Sequence, residues 1–294
     1  MSVAVIINPI SGGRRYGPVA ERAKLAASVV ERHGAAAAVF VTERPGHARE
    51  LAKAAAAGGA RLVIAWGGDG TINEVASALA FGDVPIAIVP AGSGNGLATE
   101  LAIDRQPERA IAAALTAAPR PIDLGELDGR LFVNIAGLGL DAYVAAQFNE
   151  PGNVRRGLLT YARITGRAML AYAAGHYRIT TDTGPIEATG AVVVSLANGA
   201  QYGNNARIAP NARVDDGVLD LIVVEERSRL RTLTHFPKLF QGTADRVPGC
   251  TTRKIRMATI ESNVPITYHV DGEPVLGGTI LEARIHPNAL RIAV

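Results

Sequence analysis

No part of this chain leaves fewer options open than Trp66-Gly67-Gly68-Asp69-Gly70-Thr71-Ile72-Asn73-Glu74. Leu62-Val63-Ile64-Ala65 stands before it, a short apolar run of the kind that makes a buried strand. Val75–Ala80 follows and reads as a helix. Three glycines and an aspartate therefore occupy a tight strand-to-helix turn. Glycine has no Cβ, so this backbone can take positive φ and come close to a ligand. The N–H groups at the helix start point outward and suit a phosphate. Asp69 brings a negative charge that a phosphate tolerates only across a cation or a hydroxyl donor. The chemistry expected of Gly67, Gly68, Asp69, Gly70 and Thr71, with Asn73 and Glu74 beside them, is the binding of nucleotide phosphates.

A lone glycine turn is weak evidence, but two further loops fall in matching places. Asn8-Pro9-Ile10-Ser11-Gly12 follows the apolar run Val3–Ile7, with Arg14 and Arg15 next to supply charge. Pro90-Ala91-Gly92-Ser93-Gly94-Asn95-Gly96 follows Pro85–Val89. Between these runs lie helical patterns. Val19–Arg32 places Val19, Ala23, Ala26, Ala27 and Val30 on one face; His47–Ala57 is stopped by Gly58-Gly59; Ala110–Ala117 is a third. Val39–Thr42 reads as a strand, with Thr42 at the C-terminal end, where open α/β sheets bind ligands. Alternating strands and helices predict a doubly wound parallel-sheet α/β domain over residues 1–122, ending near Pro119–Pro121.

From Ile122 the texture changes to short β-type runs: Leu131–Ile135, Tyr177–Thr181, Ala188–Leu196, Gly217–Val224, Thr252–Ile260, Ile266–Val270 and Thr279–His286. They predict an antiparallel β-sandwich-like or open-barrel domain over residues 123–287. One long helix is expected within residues 154–174. Its Arg156, Arg163 and Arg167 suit either a solvated face or anionic lipid. Asp215, Asp216 and Asp220 crowd a turn; Asp216 with flanking carbonyls suits a hard cation such as Mg²⁺, or Asp216-Gly217 is a plain hairpin turn. Asp271-Gly272-Glu273 suits a base with an orienting partner, or again an Asp-Gly hairpin. The six histidines and Cys250 show no metal or nucleophile spacing and read as structural.

Together the Gly-Gly-Asp-Gly-Thr core, the two companion loops and Val270-Asp271-Gly272-Glu273 resemble the diacylglycerol kinase catalytic-domain family, over nearly the whole chain. That family also holds bacterial lipid kinases, sphingosine kinases and ceramide kinase. The resemblance implies an ATP-dependent kinase acting on a lipid hydroxyl, with ATP and Mg²⁺ as cofactors. It implies phosphates over residues 67–71, helped by Ser11, Gly12, Ser93 and Asn95, with Asp69 near the metal and Thr42 touching nucleotide. It implies Mg²⁺ on the Asp216 carboxylate and the carbonyls of Arg213 and Val218. The base is implied at Asp271 or Glu273, and the final segment, residues 288–294, is implied to return to the first domain. Asp141, in Gly137-Leu138-Gly139-Leu140-Asp141, resembles an aspartate that sphingosine kinases set against the substrate amine. Diacylglycerol kinases usually read Gly-Thr-x-Asn-Asp in the third loop. The Gly92-Ser93-Gly94-Asn95-Gly96 of this chain leans toward sphingosine-kinase-like sequences, so the acceptor is diacylglycerol or a long-chain base. NAD kinases and phosphofructokinases share the core, so a NAD or sugar-phosphate kinase is the alternative, and a non-catalytic nucleotide- or lipid-binding module a further one.

Composition sets outer limits. With 48% hydrophobic and 19% charged residues among 294, a sizeable core is expected. A net charge of +3 suits an anionic surface but argues against a nucleic-acid partner. No apolar run reaches the ~20 residues of a spanning helix, and no signal-peptide pattern opens the chain. A cytoplasmic protein is expected, peripheral at the inner membrane face where its lipid lies, with a homodimer as a further partner. One cysteine rules out an intrachain disulfide.

Overall fold

Apolar runs of the first third become a parallel sheet, because strands covered by helices on both faces need no polar alternation. A computed structural model describes residues 2–149, 164, 166–168, 172–203, 206–225, 238, 241–243 and 247–294. They divide into one unit of Met1–Ile122 with Asn288–Val294 and another of Asp123–Pro287.

In the first unit, β1 (Ser2–Ile7), β2 (Ala36–Val41), β3 (Leu62–Gly67) and β4 (Ile86–Pro90) pair in parallel in the order β2-β1-β3-β4. Every residue of β3 and β4 is buried, whereas the alanine-rich β2 at the edge is only partly so. The helices are α1 (Val19–Arg32), α2 (His47–Ala57), α3 (Asp69–Leu79), α4 (Gly96–Glu100) and α5 (Pro107–Thr116). Val5, Ile64, Trp66, Val89, Val29 and Ile111 anchor the core on one sheet face. Helix α3 starts inside the glycine motif rather than at Val75. Packing of Thr71, Ile72, Val75, Ala76 and Leu79 overrides the poor helix propensity of Gly70. The short α4 follows the third loop and has no signature in the apolar pattern.

β5 (Arg120–Leu127) begins in the first unit and ends in the second, which also holds β6 (Arg130–Phe132), β7 (Ile135–Gly139), α6 (Leu140–Asn149), β8 (Gly175–Thr181), β9 (Gly184–Ala197), β10 (Leu219–Glu225), β11 (Cys250–Ile255), β12 (Met257–Glu261), β13 (Thr267–Val270), β14 (Glu273–Leu276) and most of β15 (Ile280–Ile292). β15 ends in the first unit, where Ile292 lies parallel to Ile86 of β4. The other neighbours run antiparallel as β14-β13-β7-β9-β8-β12-β15, with β10 between β9 and β11. Tyr268, Phe132, Leu138, Leu196, Leu221, Ile260 and Leu281 fill the core. The single run expected at Thr252–Ile260 is two strands, because Arg256 leaves the ladder and its N–H donates to Asp182 at 3.0 Å. Helix α6 was not expected. Of the helix expected within 154–174, residues 164 and 166–168 are helical and 172–174 are not; the rest, with Arg156 and Arg163, lies outside the described residues. Among the described residues no helix is long and apolar enough to cross a membrane.

Candidate functional site

The C-terminal ends of β1, β3 and β4 carry the three loops, and hydrogen bonds tie them together. Asn8 Nδ2 donates to Thr71 Oγ1 at 2.9 Å, joining the first loop to the second. Asp69 joins the second to the third: its two carboxylate oxygens accept the N–H of Asn95 at 2.9 Å and of Gly96 at 2.8 Å. Asn95 sits at φ 52 and folds back on its own loop, accepting the Gly92 N–H at 2.8 Å and donating to the Gly92 carbonyl at 2.7 Å. The turns meet without side chains between them. A Cβ on Gly92 would lie 2.7 Å from Gly68 Cα, and one on Gly68 3.1 Å from Gly92 Cα. Both contacts are with backbone, which cannot swing aside. The same Cβ on Gly68 would come 3.9 Å from Ser11 Oγ, so Ser11 belongs to this cluster. Thr42 is buried after β2, its N–H on the Ile7 carbonyl at 2.9 Å. Helix α3 begins at Asp69 with no side-chain cap on Gly68, and a helix N-terminus is the arrangement that receives an anion.

Not every residue expected here points the same way. Glu74 caps α2 instead, accepting N–H groups from Gly46 at 2.8 Å and Ala48 at 3.0 Å. A carboxylate at a helix N-terminus is favourable there, and it ties α2 to α3. Asn73 accepts from Ser77 Oγ at 3.4 Å, and Ser93 is exposed. Arg22 was passed over. It is 3% exposed and its guanidinium donates to the carbonyls of Ser11 at 2.8 Å, Gly17 at 3.1 Å and Gly13 at 3.2 Å. A buried cation thus props the first loop from below. Its sequence signal was present, since Arg22 stands four residues before Ala26 on the apolar face of α1. Tyr16 also closes this loop, donating to the Pro90 carbonyl at 3.0 Å and meeting Trp66 edge-on.

In the second unit, Asp271 and Gly272 form a tight hairpin between β13 and β14, with φ of 48° and 86°. Positive φ at both central residues matches the strand twist, and Asp-Gly supplies it. The Asp271 carboxylate accepts three backbone N–H groups, from Val133 at 2.8 Å, Asn134 at 3.0 Å and Ile135 at 3.1 Å. Glu273, two residues on, is exposed. Behind the turn lies His269, whose Nδ1 receives the Gly272 N–H at 3.2 Å. Its Nε2 is 2.8 Å from Asp141 Oδ2, though off the line of a well-directed hydrogen bond. The same oxygen accepts from Tyr202 OH at 2.6 Å and Ser195 Oγ at 3.4 Å. Asp141 is therefore 8% exposed and surrounded by internal partners.

The acidic turn is taken up by ion pairs and hydrogen bonds. Lys254 stands opposite Asp220 in the β10–β11 register. Its ammonium lies 2.5 Å from Asp216 Oδ2 and 3.6 Å from Asp220 Oδ2. Arg213 bonds Asp215, and the buried Asp123 accepts the Gly217 N–H at 2.7 Å. Among the described residues no cluster of three or more His, Cys, Asp or Glu is placed to hold a metal. Asp216, expected to hold Mg²⁺ with the Arg213 and Val218 carbonyls, is thus paired with an ammonium that an incoming cation would have to displace. The hydrogen bond to Asp216, burial notwithstanding, holds Lys254 above its ordinary pKa, so it stays charged. Chelation with EDTA is therefore expected to leave Tm unchanged. An ion held at a hundred times its Kd would instead add about 2.7 kcal/mol, and a clear fall in Tm on chelation would restore the metal site.

Comparison with known proteins places these features in context. The model described as diacylglycerol kinase catalytic domain matches residues 2–127. The one described as YegS C-terminal NAD kinase beta sandwich-like domain matches residues 134–294. The "Probable lipid kinase YegS-like" of Pseudomonas aeruginosa PAO1 is 33% identical over 285 residues, 95% of this chain and 91% of that one. The "Diacylglycerol kinase" of Mycobacterium tuberculosis H37Rv is 27% identical over 281 residues, 92% and 88% of the two chains. The crystal structure of a diacylglycerol kinase from Bacillus anthracis str. Sterne superposes with a TM-score of 0.75 at 20% identity, over 99% of this chain and 96% of the other, and shows the same fold.

Proposed function

This chain belongs to the diacylglycerol kinase catalytic-domain family, and on that premise we propose that it is an ATP-dependent lipid kinase working at a membrane surface. The observation that carries the reading is the contact of Gly68 with Gly92, locked by Asp69 on the amides of Asn95 and Gly96. It brings two polar turns and a helix N-terminus together with no side chain in the way, which suits a polyphosphate. We assign the phosphates to residues 67–71 with Ser11, Gly12, Ser93 and Asn95. Mg²⁺ carried on the nucleotide would supply charge neutralisation across those phosphates.

Phosphoryl transfer to an alcohol asks mostly for positioning, plus a carboxylate that takes the hydroxyl proton. Glu273 is the better candidate. Asp271 already accepts three backbone N–H groups, while the Glu273 side chain is exposed to an incoming hydroxyl. Asp271 is then the anchor of the turn. Diacylglycerol is favoured over a long-chain base, because Asp141 is buried against His269, Tyr202 and Ser195. A substrate ammonium would have to displace those partners from a buried carboxylate.

The test is incubation with labelled ATP and, separately, diacylglycerol, sphingosine, ceramide, phosphatidylglycerol, NAD and fructose 6-phosphate. Label on diacylglycerol, with little on sphingosine and none on the last two, is the expected result. No labelled lipid would overturn the kinase reading; labelled NAD or sugar phosphate would redirect it.

A further inference from the structure

We propose that His269 is the positioning residue of the 271–273 turn: its unprotonated Nδ1 accepts the Gly272 N–H and so fixes where Glu273 leaves the hairpin. His269 is 2% exposed at the end of β13, and the Gly272 N–H reaches it at 3.2 Å. An acceptor at Nδ1 requires the ring proton on Nε2, and Nε2 lies 2.8 Å from Asp141 Oδ2. The negative charge of Asp141 on that side of the ring favours the proton on Nε2, the tautomer that the turn needs. Asp141 is itself held in place: Tyr202 OH donates to it at 2.6 Å, and Tyr202 OH lies 2.7 Å from Ser195 Oγ. The charged and titratable groups facing the ring are Asp141 from α6, Tyr202 from the segment after β9, and Asp271 from the turn. The inference rests on the reading of Glu273 as the proton acceptor and adds the residue that aims it.

The device has a pH signature. Protonation at Nδ1 exchanges an acceptor for a donor facing the Gly272 N–H, and the turn is released. Burial opposes the charged ring, but the Asp141 carboxylate, with a smaller contribution from Asp271, outweighs it and pulls His269 above its ordinary value. Activity therefore falls with acid through a midpoint above ~6.5, well above ordinary carboxylate titration. Stability runs the other way. With the folded pKa raised, the His269–Asp141 attraction is fully present below the unfolded value of ~6.5 and is lost as pH rises through the folded value. A merely structural histidine would move stability and leave the activity limb where it was.

The experiment measures kcat against pH for the wild type, His269→Asn and His269→Leu, with melts to confirm folding. Asparagine places Oδ1 where Nδ1 stood and has no proton to gain. His269→Asn is expected to keep kcat within about threefold on the alkaline side and to lose the acid limb. His269→Leu is expected to lose about 10- to 100-fold in kcat at every pH, with KM for ATP unchanged. An acid limb that persists in His269→Asn, or two folded variants that are equally slow, overturns the proposal. Heteronuclear NMR on glycine-labelled wild type supplies a readout that needs no turnover. The Gly272 amide must titrate with the activity midpoint, and an amide that stays still across that interval also overturns it. If the wild type phosphorylates no lipid, the kinase reading fails, while the Gly272 titration still decides whether the histidine holds the turn.

Discussion

Glu273→Gln is expected to lower kcat by about 10²- to 10⁴-fold, the usual worth of general-base catalysis, with Tm unchanged. The side chain is exposed, so the substitution opens no cavity in the core. Asp271→Asn should behave in the opposite manner. Three backbone N–H groups converge on the Asp271 carboxylate, and an amide offers one acceptor oxygen while turning an NH₂ toward a remaining donor. A hydrogen bond to a charged group contributes about 1.5–3 kcal/mol, so this variant should lose several degrees of Tm before its rate is considered. Steady-state kinetics and thermal melts on both variants separate base from anchor. If Glu273→Gln keeps kcat within tenfold, or Asp271→Asn melts with the wild type, the assignment of the two roles is wrong.

Gly92→Ala should weaken ATP binding by at least about tenfold, equivalent to about 1.4 kcal/mol. The new Cβ would sit 2.7 Å from Gly68 Cα and 3.0 Å from Asn95 Oδ1. Neither turn can yield without pulling Asn95 or Gly96 off the Asp69 carboxylate. Overpacking of this kind costs about 1–3 kcal/mol, and the strain falls on the loops given to phosphate. Calorimetric titration with a non-hydrolysable ATP analogue gives the affinity, and a melt gives the global cost. Unaltered affinity would show that the Gly68–Gly92 contact has no part in holding nucleotide.

Much of the first unit is plain in the residues. Val3–Ile7, Leu62–Ala65 and Pro85–Val89 are too uniformly apolar for anything but buried strands, and a polar glycine loop follows each. The Asp271-Gly272 hairpin was also visible, as one of two readings of that segment. Carboxylate roles were much harder to foresee. Glu74 stands inside the nucleotide motif yet caps a helix start 26 to 28 residues upstream, and Asp271 bonds amides about 137 residues away. Lys254 reaches the acidic turn only because β11 sets it opposite Asp220. His269 looked like one of six unremarkable histidines until β13, α6 and the segment after β9 brought Asp141 and Tyr202 to its edge.

The amino-acid order alone settled where most strands and tight turns lie, though not α4 or α6, and so the doubly wound half, the β half and the family. Those follow from periodicity and from glycine's freedom at single positions, both local properties. Folding alone decided which partner each charged or polar side chain meets. Strand register and packing bring together residues far apart along the chain, and a buried carboxylate or imidazole takes its chemistry from whatever stands within about 3 Å.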